Sequence, residues 1–120
     1  MTLVSPKKAS DYFESKLEFT VGPIELDGMI RTGENIRIID VRMIDDYEEG
    51  HIPCAINLPK GKWVTFEGLD HNKVNVIYCY SEACHLAAAG AKFFADHGYS
   101  VMELEGGFET WEDCHLPIET

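Results

Sequence analysis

The hydrophobic positions of this chain alternate between short continuous runs and sets at helical spacing. Continuous apolar runs at residues 36–41, 74–78 and 100–104 have the length and the β-branched content of buried strands. A helical set follows the second run, with Gly98 where a helix typically ends; its members are Leu86, Ala89, Gly90, Phe93 and His97. Strands that alternate with helices predict a parallel sheet covered on both faces.

The amino-terminal segment predicts two helices before the first of these strands. Ser5 and Pro6 form a helix start, with a capping hydroxyl followed by proline at the first helical position. The predicted buried face of this first helix consists of Ala9, Tyr12, Phe13 and Leu17. Residues 20–23 should break it, and a second helix should then end near Gly33.

The remaining segments are shorter and more irregular. Residues 43–50 predict one or two helical turns with Tyr47 facing inward, and residues 55–58 a short strand. Residues 60–72 form a connection held by Trp63 and Phe66, and a last short helix follows Gly106 and Gly107 at 108–111. We therefore expect one domain over residues 1–120, with residues 1–34 as its amino-terminal helices.

Composition and charge narrow the classes of function. The chain has 120 residues, enough for one compact core, and no apolar run approaches the roughly 20 residues of a membrane span. The net charge of −11 argues against nucleic acid or an anionic membrane surface as a partner. The first ten residues lack the apolar core of a secretion signal, so we expect a cytoplasmic protein with reduced thiols. The four cysteines (Cys54, Cys79, Cys84 and Cys114) then need not form a disulfide framework.

Cys79 is the best candidate for a chemical site. It ends the predicted strand 74–78 and is followed by a short loop and the start of a helix. Ligands of open α/β sheets bind at such strand ends. Loop N–H groups, with a helix dipole behind them, stabilise an anion, including a thiolate.

Several motifs together resemble the rhodanese (sulfurtransferase) domain. They are IIDVR at 38–42, GHIPCAINLP at 50–59, the strand-end Cys79, HGYSVMELEGGFETW at 97–111, and Leu116-Pro117. The resemblance covers residues 36–117 and matches the amino-terminal helices only loosely. It implies a rhodanese/flavodoxin-like α/β fold, with three α/β/α layers and a central five-stranded parallel sheet. It also implies a persulfide on Cys79 and an active loop from Cys79 to Cys84.

The active loop CYSEAC departs from the pattern of the family. Its candidate substrate-binding residues are Tyr80, Ser81, Glu82, Ala83, Cys84 and His85. Glu82 and Cys84 stand where family members often have glycine and a basic residue. A carboxylate near a thiolate raises the thiol pKa, and the missing cation weakens the binding of anions such as thiosulfate. Cys54 replaces a glycine of the GHIPGA motif, which is a structural position.

Other polar residues have structural interpretations as well as chemical ones. We expect Asp40 to bind loop amides, Arg42 to pair with an acidic neighbour, and His51 to fix a turn. His85 is either a partner of the thiolate or a solvent-facing residue. Zinc binding by Cys79, Cys84, His85 and His51 is disfavoured because their spacing is outside the usual patterns, so we expect no metal and no cofactor.

These residues predict a sulfurtransferase or sulfur carrier. Cys79 would take sulfur from a small donor, either thiosulfate or a persulfide, and pass it to a thiol or to cyanide. The alternatives are a thiol–disulfide redox switch in which Cys84 is the resolving thiol, and a non-catalytic module that binds a partner protein. A rigid loop should keep the α-carbons of Cys79 and Cys84 slightly beyond about 7 Å, so we expect two free thiols at rest.

Overall fold

The computed structural model describes residues 2–120 and contains one five-stranded sheet. Its strands are β1 (Thr20–Val21), β2 (Ile36–Asp40), β3 (Ile56–Asn57), β4 (Val74–Tyr78) and β5 (Val101–Leu104). The order is β1-β5-β4-β2-β3, and every pair is parallel. The predicted α/β fold with a central five-stranded parallel sheet is confirmed.

Five α-helices and one 3-10 helix accompany the strands in the part of the chain that the structure describes. The α-helices are α1 (Pro6–Phe19), α2 (Pro23–Arg31), α3 (Ile44–Glu49), α4 (Leu86–Asp96) and α5 (Gly107–Asp113). The 3-10 helix, Lys60–Thr65, lies in the predicted connection and buries Trp63, whose indole N–H donates to the carbonyl of Leu58 at 3.0 Å. None of the helices within residues 2–120 is long and apolar enough to cross a membrane.

Successive side chains of the central strands point to opposite faces of the sheet, so each face has its own hydrophobic core. Ile38, Val76 and Tyr78 point into a cluster with Trp111 of α5. The next residues along the same strands face the other way, into a second cluster that contains Cys79 and the α4 residues Ala87 and Phe94. Cys79 therefore lies on the α4 side of the sheet.

Helix α1 begins as predicted, but its predicted buried face is wrong. Ser5 caps it by accepting a hydrogen bond from the backbone N–H of Lys8 at 3.3 Å. No residue of α1 is buried, and Tyr12, Phe13 and Leu17 are 60%, 55% and 81% exposed. The helix packs beside β1 and β5 at the edge of the sheet, and its apolar side stays largely exposed.

The sequence pattern also missed strand β1. The prediction took residues 20–23 as a simple break between two helices. In the structure Thr20 and Val21 pair with Glu103 and Leu104 of β5 and form an edge of the sheet. This short strand places the end of α1 and the start of α2 next to the carboxyl end of β5.

Candidate active site

Cys79 lies at the carboxyl end of the central strand β4 and is only 1% exposed. Its carbonyl oxygen accepts a hydrogen bond from the backbone N–H of Phe108 at 2.9 Å, and the carbonyl of Tyr80 accepts one from Glu109 at 2.9 Å. The first turn of α5 thus holds the start of the active loop in place. Gly107 makes this approach possible, because a Cβ there would lie 2.8 Å from both the Cys79 carbonyl oxygen and the Ser81 nitrogen.

The loop that follows Cys79, residues 80–85, leaves most of its N–H groups free. Cys84 donates its backbone N–H to the carbonyl of Ser81 at 3.1 Å, which makes a tight turn. The backbone N–H groups of the other loop residues donate no hydrogen bond to any group within residues 2–120; these residues are Tyr80, Ser81, Glu82, Ala83 and His85. His85 is the exposed N-cap residue of α4, so this loop precedes a helix amino terminus. Such a loop can stabilise a negatively charged sulfur atom.

Cys79 and Cys84 form a disulfide, so the prediction of two free thiols is wrong. Their α-carbons are 6.9 Å apart, just inside the limit of about 7 Å for a disulfide. The turn at Ser81 curls the loop enough to bring its two ends together. The other cysteines are unpaired: Cys54 is exposed and Cys114 is partly buried.

A cavity of about 530 Å³ opens beside Cys79. One wall comes from helix α1, through Tyr12, Ser15 and Lys16. The other lining residues come from the loop after Cys79, from the end of β5 and from the start of α5, and they include Ser81, Glu82, Glu103, Glu105 and Gly107. A cavity of this volume is in the range of small-molecule sites.

The charged groups around this cavity are mostly acidic. Glu82, Glu103 and Glu105 line it, with Lys16 as the single basic residue among its lining residues. Burial raises the pKa of Glu103, and the neighbouring carboxylate of Glu105 raises it further. None of these four side chains forms a salt bridge within residues 2–120. The cavity is therefore a poor environment for a dianion.

A buried polar network supports the same edge of the sheet. Arg42 binds both carboxylate oxygens of Asp40, with Nη2 to Oδ2 at 2.8 Å, and donates to the carbonyl of Gly50 at 2.6 Å. Asp40 also accepts from the backbone N–H of Arg42 at 2.9 Å and from the Tyr78 hydroxyl at 2.6 Å. Burial and the nearby Asp40 carboxylate raise the pKa of Tyr78, which keeps its hydroxyl a donor.

Two further sets of contacts involve His51 and Tyr80, which are candidate residues from the sequence. His51 stacks on the ring of Tyr47 with centroids 3.8 Å apart, and its Nδ1 lies 2.8 Å from the Tyr47 carbonyl oxygen. The Tyr80 hydroxyl donates to Asp46 of α3 at 2.6 Å and accepts from the backbone N–H of Met43 at 3.1 Å. No cluster of three or more His, Cys, Asp or Glu side chains within residues 2–120 is arranged to hold a metal ion.

Comparison with protein families assigns most of this chain to one family. The model of the Rhodanese-like domain matches residues 23–114, which include every strand except β1. The chain belongs to the rhodanese-like domain family. Helix α1, which supplies one wall of the cavity, lies outside the matched region of the domain.

Similar proteins include named sulfurtransferases. This rhodanese-like domain is 40% identical over 88 residues to thiosulfate sulfurtransferase GlpE of Coxiella burnetii, which covers 68% of this chain and 76% of that protein. It is 30% identical over 90 residues to the HTH-type transcriptional regulator Rv0324 of Mycobacterium tuberculosis, covering 74% of this chain but only 40% of that longer protein. The BH2092 protein of Bacillus halodurans has a similar structure, with a TM-score of 0.87 and 36% identity over 96% of this chain and 86% of that one.

Sequence reasoning found the loop of this rhodanese-like domain but missed the walls of its cavity. The cavity beside Cys79 is also lined by Lys16 of α1, Glu103 of β5, Glu105 after β5 and Gly107 of α5. The paired glycines at 106 and 107, which precede the predicted last helix, are the one local signal of this packing. The close contact of Gly107 with the active loop depends on tertiary packing that no local pattern contains.

Proposed function

We propose that this rhodanese-like domain is a sulfurtransferase or sulfur carrier that holds a persulfide on Cys79. The observation that carries the proposal is the position of Cys79. It sits at the carboxyl end of β4, faces a cavity of small-molecule size and begins a loop with free N–H groups. The relatives that are named sulfurtransferases support the same reaction class.

The reaction requires the reduced form of the site. A thiol must first open the Cys79–Cys84 disulfide. The Cys79 thiolate then attacks the outer sulfur of the donor; the S–S bond of the donor breaks, and sulfite leaves from thiosulfate, or a thiolate from a persulfide. Cys79 now carries one additional sulfur, and an acceptor thiol or cyanide attacks that terminal atom and regenerates the Cys79 thiolate.

The loop N–H groups supply the stabilisation that this reaction needs. Those of Tyr80, Ser81 and Glu82 follow Cys79 directly and have no partner within residues 2–120. Hydrogen bonds from such groups favour the charged sulfur in the transition state and in the persulfide. The three carboxylates of the cavity favour a persulfide donor over thiosulfate, because thiosulfate carries two negative charges.

A direct test is the Cys79→Ser variant, assayed after reduction with thiosulfate and with a small persulfide as donors. We expect sulfur transfer to cyanide to fall to the rate of the protein-free reaction, because a serine hydroxyl cannot form the persulfide. Cys114→Ser is the matched control and should keep the activity, since Cys114 does not line the cavity. Undiminished transfer by folded Cys79→Ser would eliminate the proposal.

The disulfide favours a second candidate, a thiol–disulfide switch. Peroxide would oxidise Cys79 to a sulfenic acid, and Cys84 would then displace water to form the observed bond. Peptide mapping of the reduced, peroxide-treated protein tests this candidate. Oxidation of Cys79 to the sulfinic acid with Cys84 still free would rule out the switch. A domain with neither activity would be a binding module.

A further inference from the structure

We infer that Cys84 attacks the inner sulfur of the Cys79 persulfide, so that the reduced domain converts a persulfide into sulfide and ends as the Cys79–Cys84 disulfide. This inference rests on the proposed persulfide chemistry and adds an activity to it, the reductive release of sulfide. When no external acceptor takes the outer sulfur, the domain expels it as hydrosulfide.

The position of Cys84 selects which sulfur atom it attacks. In the structure the two Sγ atoms are bonded, and the Cys84 side chain packs against the cluster that contains Cys79 and Ala87. In a persulfide the Sγ atom of Cys79 is the inner sulfur. Attack by Cys84 on that atom forms the observed disulfide and breaks the bond to the outer sulfur.

The cavity lies where the outer sulfur can leave. Cys79, Ser81 and Glu82 line it, whereas Cys84 is outside its lining. Cys84 thus approaches the Cys79 sulfur from the packed side of the loop, and the leaving atom departs on the open side. This is the arrangement that thiol exchange requires, with the attacking and leaving atoms on different sides of the sulfur under attack.

The surroundings assist both the attacking and the leaving sulfur. Cys84 immediately precedes His85, the N-cap residue of the 11-residue helix α4, where the helix dipole favours a thiolate. The leaving hydrosulfide is an anion, and the carboxylates of Glu82, Glu103 and Glu105 line the cavity that it enters. The loop N–H groups stabilise this anion while the S–S bond breaks, and the carboxylates then repel the free hydrosulfide and oppose its return to the site.

The step balances without any additional oxidant. The bond between Sγ of Cys79 and the outer sulfur breaks as the Cys79–Cys84 bond forms, and the proton of the Cys84 thiol ends on hydrogen sulfide. The outer sulfur is reduced, the Cys84 sulfur is oxidised, and Sγ of Cys79 keeps its oxidation state. A dithiol reductant must then reduce the disulfide before another cycle can begin. The class of reaction that follows this one is thus a dithiol–disulfide exchange.

The test is a single turnover of the fully reduced protein, without oxygen and without external thiol, with one equivalent of glutathione persulfide. We expect about one equivalent of sulfide from the wild type, formed at the same rate as the Cys79–Cys84 disulfide seen by peptide mapping. Cys84→Ser should instead retain a mass gain of about one sulfur atom on Cys79 and release sulfide only when dithiothreitol is added. Cys54→Ser is the matched control and should behave as the wild type, because Cys54 is unpaired and does not line the cavity.

The possible failures are distinguishable. Equal release of sulfide by the wild type and Cys84→Ser would overturn the role of Cys84 while leaving the persulfide on Cys79 intact. A stable persulfide on the wild type, with Cys84 still free, would overturn it as well. Absence of any sulfur on Cys79 in both proteins, with no sulfide released, would reject the proposed function itself.

Discussion

Cys54 adopts a backbone conformation that suits glycine better than cysteine. Its φ of 71° lies in the left-handed region, and its backbone N–H donates to Oε1 of Glu119 at 2.8 Å. The resemblance placed a glycine at this position of the motif, and the dihedral angle gives the physical reason for it. A left-handed conformation costs an L-residue about 1–2 kcal/mol, and glycine avoids that cost.

We predict that Cys54→Gly raises the free energy of unfolding by about 0.5–1 kcal/mol. The relief of strain exceeds the additional chain entropy that glycine has in the unfolded state, about 0.5–1 kcal/mol. Urea denaturation of the reduced proteins measures the change. Cys114→Gly is the control and should lower stability, because φ at Cys114 is −85° and carries no such strain. A loss of stability in Cys54→Gly would contradict the account.

At the scale of elements, the position of Cys79 depends on the packing of α5 against the active loop. The N–H groups of Phe108 and Glu109 hold the carbonyls of Cys79 and Tyr80, and Gly107 provides the space for that contact. Gly107 also has a φ of 62°, so a side chain would add backbone strain to the steric clash.

We predict that Gly107→Ala slows sulfur loading of Cys79 by about tenfold or more, because displacement of the loop by about 1 Å is enough for such losses. Stopped-flow measurement of persulfide consumption by the reduced protein gives the rate. Gly61→Ala is the matched control, since a Cβ there meets no atom within 4 Å and the residue lies in the 3-10 helix away from the cavity. Wild-type loading by Gly107→Ala would show that α5 does not position the loop.

The central strands could be predicted from the sequence and the edges could not. Strands β2 and β4 are buried on both faces, so they appear as apolar runs such as Val76 to Tyr78. Strand β1 has two residues and no pattern of its own, and only its pairing with β5 defines it. For helix α1 the pattern predicted burial that the structure does not show. The helical spacing of Tyr12 and Phe13 identifies an apolar face, but it does not tell whether another element covers that face.

Part of the candidate site could also be predicted from the sequence, and part of it could not. A cysteine at a strand end followed by a helix start is a local pattern, so Cys79 and its loop were identified. The curvature that joins Cys79 to Cys84 is a three-dimensional property of the loop, and the sequence prediction placed the two α-carbons slightly too far apart. Helices α1 and α5 are distant from Cys79 in the sequence, and a single sequence does not show that they lie close to it in the fold.

At the scale of the whole molecule, the charge of the protein and the charge of the cavity have the same sign. The chain has a net charge of −11, and three carboxylates face Lys16 across the cavity. A negative potential at the entrance slows the encounter with an anionic donor, and salt reduces that effect.

We predict that kcat/KM for thiosulfate rises about two- to fivefold when ionic strength increases from about 0.01 to 0.1 M, because the screening length falls from about 30 to 10 Å. Steady-state kinetics of the reduced protein provide the measurement. Glu105→Gln should raise the low-salt value and weaken the salt dependence. Glu67 is an exposed carboxylate outside the cavity, so Glu67→Gln should change neither the low-salt kcat/KM nor its dependence on salt. A fall in kcat/KM with salt would mean that Lys16 and the loop N–H groups dominate the potential.

The central claim is that Cys79 carries sulfur, and intact mass spectrometry tests it most directly. The measurement uses reduced Cys84→Ser protein, which lacks the thiol that the disulfide shows can reach Cys79, after incubation with a small persulfide. The account predicts a mass gain of about one sulfur atom that maps to the peptide of Cys79 and disappears on reduction. An unchanged mass, or a gain that maps to Cys54 or Cys114 instead, would contradict it.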